Sequence, residues 1–150
     1  MADPLIIEDD LGLFLTAWYR VALAARPEAY CENVVVDAKE PAGAFPDRLL
    51  VITDGGGAET SFLTSEHTVN LSILAGTKLA PQDANDLARM ARALRSQIPA
   101  VGFAVTLGGR PYRNPVTAVI SSTGPFDVPE QQDRARRLVS VTFAVSGEAL

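Results

Sequence analysis

Three consecutive glycines follow an apolar stretch and form a first candidate for chemistry, a loop whose backbone amides could hold a phosphate. The segment "TDGGGAET" (Thr53–Thr60) comes directly after "RLLVI" (Arg48–Ile52). Phosphate-binding glycine loops carry a Lys-Ser or Lys-Thr pair or a G-x-G-x-x-G spacing that opens a helix, and neither is present. Asp-Gly supplies the positive φ angles of tight turns. We therefore predict a hairpin or flexible turn that projects from the body and can touch a partner.

His67 is the only histidine, so a histidine pair for metal binding or proton relay is excluded. It falls on the same side of a predicted strand as Val69 and Leu71, which favours a structural role. No serine lies in a G-x-S-x-G motif, and neither H-E-x-x-H nor a clustered acidic metal motif occurs. We predict no catalytic residue, no cofactor and no metal. The alternative is a small enzyme whose site combines His67, Glu66 and Tyr112.

Basic residues are concentrated in two places that could meet a nucleic acid or a protein. The densest segment is "RARR" (Arg134–Arg137), and a second helix carries three further arginines together with Asp83 and Asp86. Acidic residues also accompany the first segment: Asp127, Glu130 and Asp133. DNA affinity depends on an excess of Lys and Arg that neutralise phosphates. The mixed charges therefore favour contact with proteins over a DNA-binding surface.

The charge of the chain is unevenly distributed. Residues 1–60 carry 11 acidic and 4 basic groups, a net charge of −7, whereas residues 61–150 carry 7 and 9, a net charge of +2. This asymmetry suits a head-to-tail interface between copies, in which two different surfaces meet. The whole chain has a net charge of −5, which disfavours general DNA binding.

Length and composition predict one soluble domain. The chain has 150 residues, of which 47% are hydrophobic, enough for a core without disulfides or metals. Its single cysteine, Cys31, has no partner for an internal disulfide and suits a reducing cytoplasm. We find neither a signal-peptide pattern nor a run of 18 apolar residues, so we expect no membrane association.

Hydrophobic periodicity predicts the elements. One helix is expected from about Asp10 to Arg26, capped by Asp9 and Asp10 and stopped by Pro27, and a second from Pro81 to about Ile98. Period-two or β-rich runs predict strands at 34–37, 48–53, 67–75, 101–107, 116–122 and 138–146, with a turn at 108–115 and a loop at 123–137. The order indicates an α+β fold in which two helices cover one face of a largely antiparallel or mixed sheet.

Four segments together resemble the tail terminator proteins of long-tailed bacteriophages. They are the opening helix "DDLGLFLTAWYRVALAARPE", the region "VITDGGG", the helix "DANDLARMARALRSQI" and the closing segment "SSTGPFDVPEQQDRARRLVSVTFAVSG". The similarity spans most of the chain and includes no catalytic signature. The segment "VGFAVTLGGRPYRNP" is not part of it.

The resemblance implies a virion protein that forms a ring, typically of six subunits, on the head-proximal end of the tail tube. Its implied partners are other copies, the tail tube protein and the head-tail connector, with DNA passing through the lumen without specific binding. It implies assembly in the host cytoplasm. We expect the contacts with neighbouring subunits or the tube to involve eight residues: Gly55, Gly56, Gly57, Asp127, Glu130, Arg134, Arg136 and Arg137. Another neck, tail-completion or connector protein is the alternative within virion proteins.

Overall fold

The structure is a computed structural model that describes residues 6–7, 10–58, 60, 64–98, 105–107 and 110–149. Its main elements are two helices and nine strands in these ranges, joined by two 3₁₀ turns at Ala29–Cys31 and Arg95–Gln97. In chain order they are β1 (Ile6–Ile7), α1 (Leu11–Ala24), β2 (Val35–Asp37), β3 (Arg48–Asp54), β4 (Thr64–Ala75), α2 (Gln82–Leu94), β5 (Val105–Leu107), β6 (Arg110–Tyr112), β7 (Val116–Val128), β8 (Ala135–Ser146) and β9 (Glu148–Ala149).

A five-stranded sheet organises the fold. Its strands lie in the order β2, β3, β4, β8, β7, and only the pairing of β2 with β3 is parallel. Two smaller pairs, β1 with β9 and β5 with β6, are antiparallel. Both helices pack on one face of the large sheet, so the predicted α+β fold is confirmed.

The first helix begins and ends close to the predicted residues. Asp10 caps it by accepting a hydrogen bond from the Leu13 amide at 3.0 Å, and the helix ends at Ala24, three residues before Pro27. Phe14, Leu15 and Tyr19 are fully buried against the sheet. A second apolar stripe is only partly covered, since Ala17 is buried and Val21 is 56% exposed.

The second helix and the turn after it bury one apolar face, formed by Ala84, Leu87, Ala88, Ala91, Leu94 and Ile98. The helix ends at Leu94 and tightens into a 3₁₀ turn before Ile98. This tightening leaves the Ala91 carbonyl to accept a hydrogen bond from the Tyr19 hydroxyl at 2.7 Å. The small alanine side chains allow α2 to approach the sheet closely.

The two faces of the sheet differ in chemistry because side chains alternate along each strand. The covered face carries alternate residues of β4 and β8, among them Val69, Leu71, Val141 and Phe143, all at most 1% exposed. The other face carries cross-strand polar pairs, with Thr68 and Thr142 oxygens 3.0 Å apart and Ser140 donating to Asn70 at 2.7 Å. A small cluster of Leu49, Val51, Leu74 and Phe45 covers one end of that face.

Two predicted connections are wrong. The predicted loop at 123–137 is largely strand, because β7 continues to Val128 and β8 begins at Ala135. Pro125 is accommodated there by a β-bulge in an edge strand, where no ladder amide is required. The predicted turn at 108–115 contains β6, whose Pro111 lies in a two-stranded pair. Of the predicted strand at 101–107, residues 101–104 lie outside the described ranges.

Candidate interface site

Five of the eight predicted contact residues lie together at the end of the hairpin formed by β7 and β8. We call residues 127–137 the hairpin tip. Together with Lys78, all five line a cavity of about 370 Å³: Asp127, Glu130, Arg134, Arg136 and Arg137. Their spacing in the sequence suggested a loop, but strand pairing is what brings them together, since Asp127 is opposite Arg137 and Val128 opposite Arg136.

Arg136 lies between two carboxylates in the hairpin tip. Its Nε donates to Glu130 at 2.6 Å, and its Nη1 lies 2.5 Å from Glu40 and donates to Ser72 at 2.8 Å. Although burial opposes its charge, the hydrogen bonds with Glu130 and Glu40 raise the pKa of Arg136. The same contact lowers the pKa of Glu130. Only 14% of the Arg136 side chain is exposed, so its charge is paired with carboxylates of the protein itself.

The other two arginines of the hairpin tip are also engaged. Arg134 donates to the backbone carbonyls of Gly76 at 3.1 Å, Pro46 at 2.9 Å and Asp47 at 2.5 Å. These bonds join the hairpin to the turn after β4 and to the segment before β3. Such carbonyls at strand ends need donors, and a guanidinium can supply several at once.

Arg137 donates to Asn85 of α2 at 2.7 Å and lies 2.9 Å from Asp127. Its side chain is 13% exposed, whereas that of Asp127 is 86% exposed. The predicted contact residues therefore have different roles. Arg134, Arg136 and Arg137 bond to other parts of the protein, and the side chain of Asp127 is exposed to a partner.

The glycine segment does not project as a flexible turn. The Gly55 amide donates to the Thr68 carbonyl at 2.9 Å, the Thr68 amide donates to Gly56 at 3.0 Å, and the Glu66 amide donates to Ala58 at 2.9 Å. Residues 55–58 thus extend β3 irregularly along β4. Gly56 has a φ of 73°, as an Asp-Gly turn predicts, and its amide donates to Asp54 at 2.8 Å.

Gly57 is required by close contact between backbones. A Cβ atom at this position would lie 1.4 Å from the Glu66 carbonyl oxygen. The glycines therefore allow the segment to pair with β4 and do not supply mobility. The structure also separates them from the hairpin tip: Gly55 bonds Thr68, whereas the nearest paired tip residue, Arg137, is opposite Ile73, five residues along β4 or roughly 17 Å away.

His67 belongs to a hydrogen-bonded chain that sequence reasoning missed. Its Nδ1 lies 3.1 Å from both carboxylate oxygens of Asp54, and its Nε2 lies 3.2 Å from the Ser65 hydroxyl. Carboxylate, imidazole and hydroxyl follow in the order of a Ser-His-Asp triad. The spacing of Ser65 and His67 on one strand was the available signal, but Asp54 joins them only through the register of β3 on β4. Ser65 is 7% exposed.

The enzyme alternative combined His67 with Glu66 and Tyr112. Glu66 is adjacent to His67 on β4 and therefore points to the opposite face of the sheet. The side chain of Tyr112 lies outside the described residues. The structure thus separates Glu66 from the imidazole and brings Asp54 and Ser65 to it instead.

Large apolar side chains are exposed at both edges of the sheet, a feature that the strand patterns did not reveal. Ile120 and Phe126 of β7 are 51% and 53% exposed, and Val35 of β2 is 44% exposed. Which strands form the edges depends on the pairing order, so these residues could not be recognised from periodicity.

A comparison with protein-family models finds no match, and a comparison with curated proteins finds no similar protein. Within the described ranges, no helix has the length and apolar character needed to cross a membrane. In the same part of the chain, no three His, Cys, Asp or Glu side chains are grouped closely enough to hold a metal ion.

Proposed function

We propose that this protein is a tail terminator that forms a ring on the head-proximal end of a bacteriophage tail tube. The ring ends tube polymerisation and presents a joining surface to the head-tail connector. The protein is then a virion component assembled in the host cytoplasm, with DNA passing through its lumen. The net charge of −5 is compatible with passage of DNA without retention.

One observation carries the proposal beyond the resemblance itself. The closing segment that resembles terminators forms a single hairpin of a 13-residue and a 12-residue strand whose tip is tied by Arg134, Arg136 and Arg137. A docking element of this kind pays little conformational entropy on binding, because its side chains are already ordered. This suits a protein that must recognise the end of a finished tube.

The test is a tube-capping experiment. Tail tube protein from the same phage is polymerised with and without this protein, and tube lengths and ends are measured by electron microscopy. We expect shorter tubes with additional ring density at one end. Native mass spectrometry should detect a closed species of six subunits, 6 × 16.0 = 96 kDa. Unchanged tube lengths together with bare tube ends would contradict the proposal.

The same experiment separates the terminator from another neck or connector protein. A tail-completion or connector component co-purifies with its neck partner and leaves the length of growing tubes unchanged. A terminator shortens the tubes. Asp127→Lys is the informative variant, because this side chain is 86% exposed and its replacement removes the ion pair with Arg137 but none of the bonds of Arg134 and Arg136.

The chain of Asp54, His67 and Ser65 favours a second candidate, a serine hydrolase. In such an enzyme the Ser65 oxygen bonds to the acyl carbon of the substrate while His67 takes the hydroxyl proton, and Asp54 stabilises the resulting imidazolium. His67 then gives this proton to the leaving group as the bond between that group and the acyl carbon breaks. Reaction with a fluorophosphonate probe, with Ser65→Ala as control, tests this function. Covalent labelling of Ser65 would support the hydrolase, and its absence at saturating probe is the result expected for the terminator.

A further inference from the structure

The face of the five-stranded sheet opposite the two helices carries a large uncharged surface. Strand register places it on β3, β4, β8 and β7, between Glu66 at one end and Arg136 at the other. Uncharged side chains make it up, and we call it the neutral face: Thr53, Thr68, Asn70, Ser72, Ala118, Ser121, Thr123, Phe126, Leu138, Ser140, Thr142 and Ala144. Depletion of charge of this kind is typical of the centre of a protein interface.

The neutral face is accessible to a partner. All its members are exposed or half-buried, and Phe126, its largest side chain, is 53% exposed. Within the described ranges, Phe45 packs on Leu49, Val51 and Leu74 and so covers the neighbouring end of the same side of the sheet. The opposite side of the strands lies against the helices. A partner can therefore reach the neutral face without a rearrangement of the helices.

Polar side chains at the centre of the neutral face already bond to one another across strands. The hydroxyl oxygens of Thr68 and Thr142 are 3.0 Å apart, and the Ser140 hydroxyl donates to the Asn70 side chain at 2.7 Å. Burial of a polar group is costly when the group loses its hydrogen bonds. These groups keep theirs when the face is covered, so the cost of covering it is low.

The chemistry of the neutral face suits a second copy of the chain. A hydroxyl group both donates and accepts hydrogen bonds, so two identical hydroxyl-bearing faces are complementary to each other. The absence of charge within the face removes the repulsion that identical charged surfaces would experience. It also disfavours nucleic acid, which binds through Lys and Arg. A two-fold contact between copies requires a self-complementary surface of this kind.

The neutral face is also large enough for a dimer. Four strands about 4.8 Å apart, each with four residues about 6.8 Å apart on one face, span roughly 500 Å². Two copies therefore bury roughly 1,000 Å² in total before the relief of the side chains is added, and about 1,000 Å² is the lower bound for a specific interface. The area corresponds to a dimer of modest affinity.

We propose that the neutral face of one copy packs against the neutral face of a second copy in a two-fold symmetric dimer. Sheets that pack face to face keep their strand directions within about 30° of each other. The contact leaves Asp127 free, because Asp127 pairs with Arg137, whose side chain bonds α2 on the other side of the sheet. The inference goes beyond the proposed function and does not rest on it.

The test places a charge at the centre of the neutral face with Thr142→Lys. Leu79→Lys is the matched control, since Leu79 is 98% exposed and lies in the turn between β4 and α2. Sedimentation equilibrium over a concentration series measures dimerisation in about 1 M sodium chloride, which screens contacts through exposed charges such as Asp127. Circular dichroism and urea denaturation establish that each variant is folded.

A second measurement does not depend on the lysine variant. Ser140→Cys, near the centre of the neutral face, is treated with a short bismaleimide, which joins two cysteines of neighbouring copies. Leu79→Cys is its control. The native Cys31 is 2% exposed, so wild type reports any background labelling. In a two-fold contact through the centre of the face, a residue near the axis meets its own equivalent.

We expect wild type and Leu79→Lys to dimerise with a dissociation constant below about 1 mM. Thr142→Lys should dimerise at least about tenfold more weakly, which corresponds to roughly 1.4 kcal/mol. Ser140→Cys should form a cross-linked dimer, whereas Leu79→Cys and wild type should not.

Three results would overturn the inference: a wild type that stays monomeric up to about 1 mM, a folded Thr142→Lys that dimerises as strongly as wild type, or a Ser140→Cys that cross-links no better than Leu79→Cys. If wild type stays monomeric and folded Thr142→Lys no longer caps tubes, the neutral face belongs to the tail tube protein. A wild type that dimerises in this way and leaves tubes uncapped contradicts only the terminator function.

Discussion

Arg134 illustrates how a residue that looks like a surface charge can be part of the framework. Its guanidinium donates to three backbone carbonyls, which belong to the turn after β4 and to the segment before β3. A lysine could not reproduce these bonds, because its single ammonium lacks the planar arrangement of donors. At the scale of residues, the basic segment 134–137 is therefore better understood as a set of hydrogen-bond donors than as a contact patch.

The close approach of Gly57 to β4 leads to a prediction about stability. We expect Gly57→Ala to lower the free energy of unfolding by at least about 2 kcal/mol, because the new Cβ would displace the Glu66 carbonyl from its place beside it. Urea denaturation measures the change. Gly43→Ala is the control, since nothing lies within 4 Å of a Cβ there. Equal stability of both variants would show that the segment is a free loop after all.

Tyr19 leads to a prediction about pH. Burial raises the pKa of its phenol, so the folded protein keeps this proton at pH values where the unfolded chain, with a tyrosine pKa of about 10, loses it. Above pH 10 the unfolded state binds fewer protons, and the free energy of unfolding therefore falls as pH rises. The slope attributable to Tyr19 approaches about 1.4 kcal/mol per pH unit.

The corresponding variant is Tyr19→Phe, compared with wild type by urea denaturation between pH 9 and 11. At neutral pH we expect a loss of about 1 to 2 kcal/mol, because the bond to the Ala91 carbonyl is removed. Above pH 10 the variant should lose stability less steeply than wild type. Burial also raises the pKa of Cys31, but this contribution is common to both proteins. Parallel curves of unfolding free energy against pH for the two proteins would contradict the assignment of this pH dependence to Tyr19.

At the scale of elements, the tip of the β7–β8 hairpin adds side-chain bonds to the pairing of β8 with β4 along its length. Arg136 contacts Glu130 of the tip and Glu40 of the segment between β2 and β3. Charge reversal at this position would place a third carboxylate beside these two. An assembly defect of such a variant would therefore report a damaged fold and would say little about a lost contact.

We predict that Arg136→Glu lowers the free energy of unfolding by about 2 to 3 kcal/mol, the usual value of lost bonds to charged groups. Asp127→Lys, which removes an ion pair at a side chain 86% exposed, should change it by no more than about 1 kcal/mol. Urea denaturation compares the two. If both variants keep wild-type stability, the bonds of Arg136 with Glu130 and Glu40 do not stabilise the folded protein.

At the scale of the whole molecule, the proposed ring and the exposed charge of Asp127 predict salt-sensitive self-association. Between about 0.1 M and 1 M salt the Debye length falls from about 10 Å to about 3 Å, which screens contacts between exposed charges. We expect the dissociation constant to rise severalfold over this range in sedimentation equilibrium. The slope should be smaller in Asp127→Asn. Salt-independent association would point to a purely apolar interface.

Local signals in the sequence were sufficient for both helices and for strands β4 and β8. Asp10 and Pro27 delimit α1 closely, and the apolar face of α2 is buried without exception. The alternation in β4 and β8 also identified the inward residues Val69 and Val141. These predictions succeed because capping, helical periodicity and strand alternation depend on neighbours in the chain.

The pairing and register of the strands could not be predicted from such local patterns. The proline at 125 suggested a loop, and only the position of β7 at the edge of the sheet makes a bulged strand possible there. Three contacts join residues that no local pattern connects. They are Asp54 with His67, Arg136 with Glu40 and Gly57 with Glu66. The sequence by itself determined the two helices, the inward residues of β4 and β8 and the charge of each half. The tertiary structure decided which strands are edges and which charges are used internally, because these depend on hydrogen-bonded pairing between distant segments.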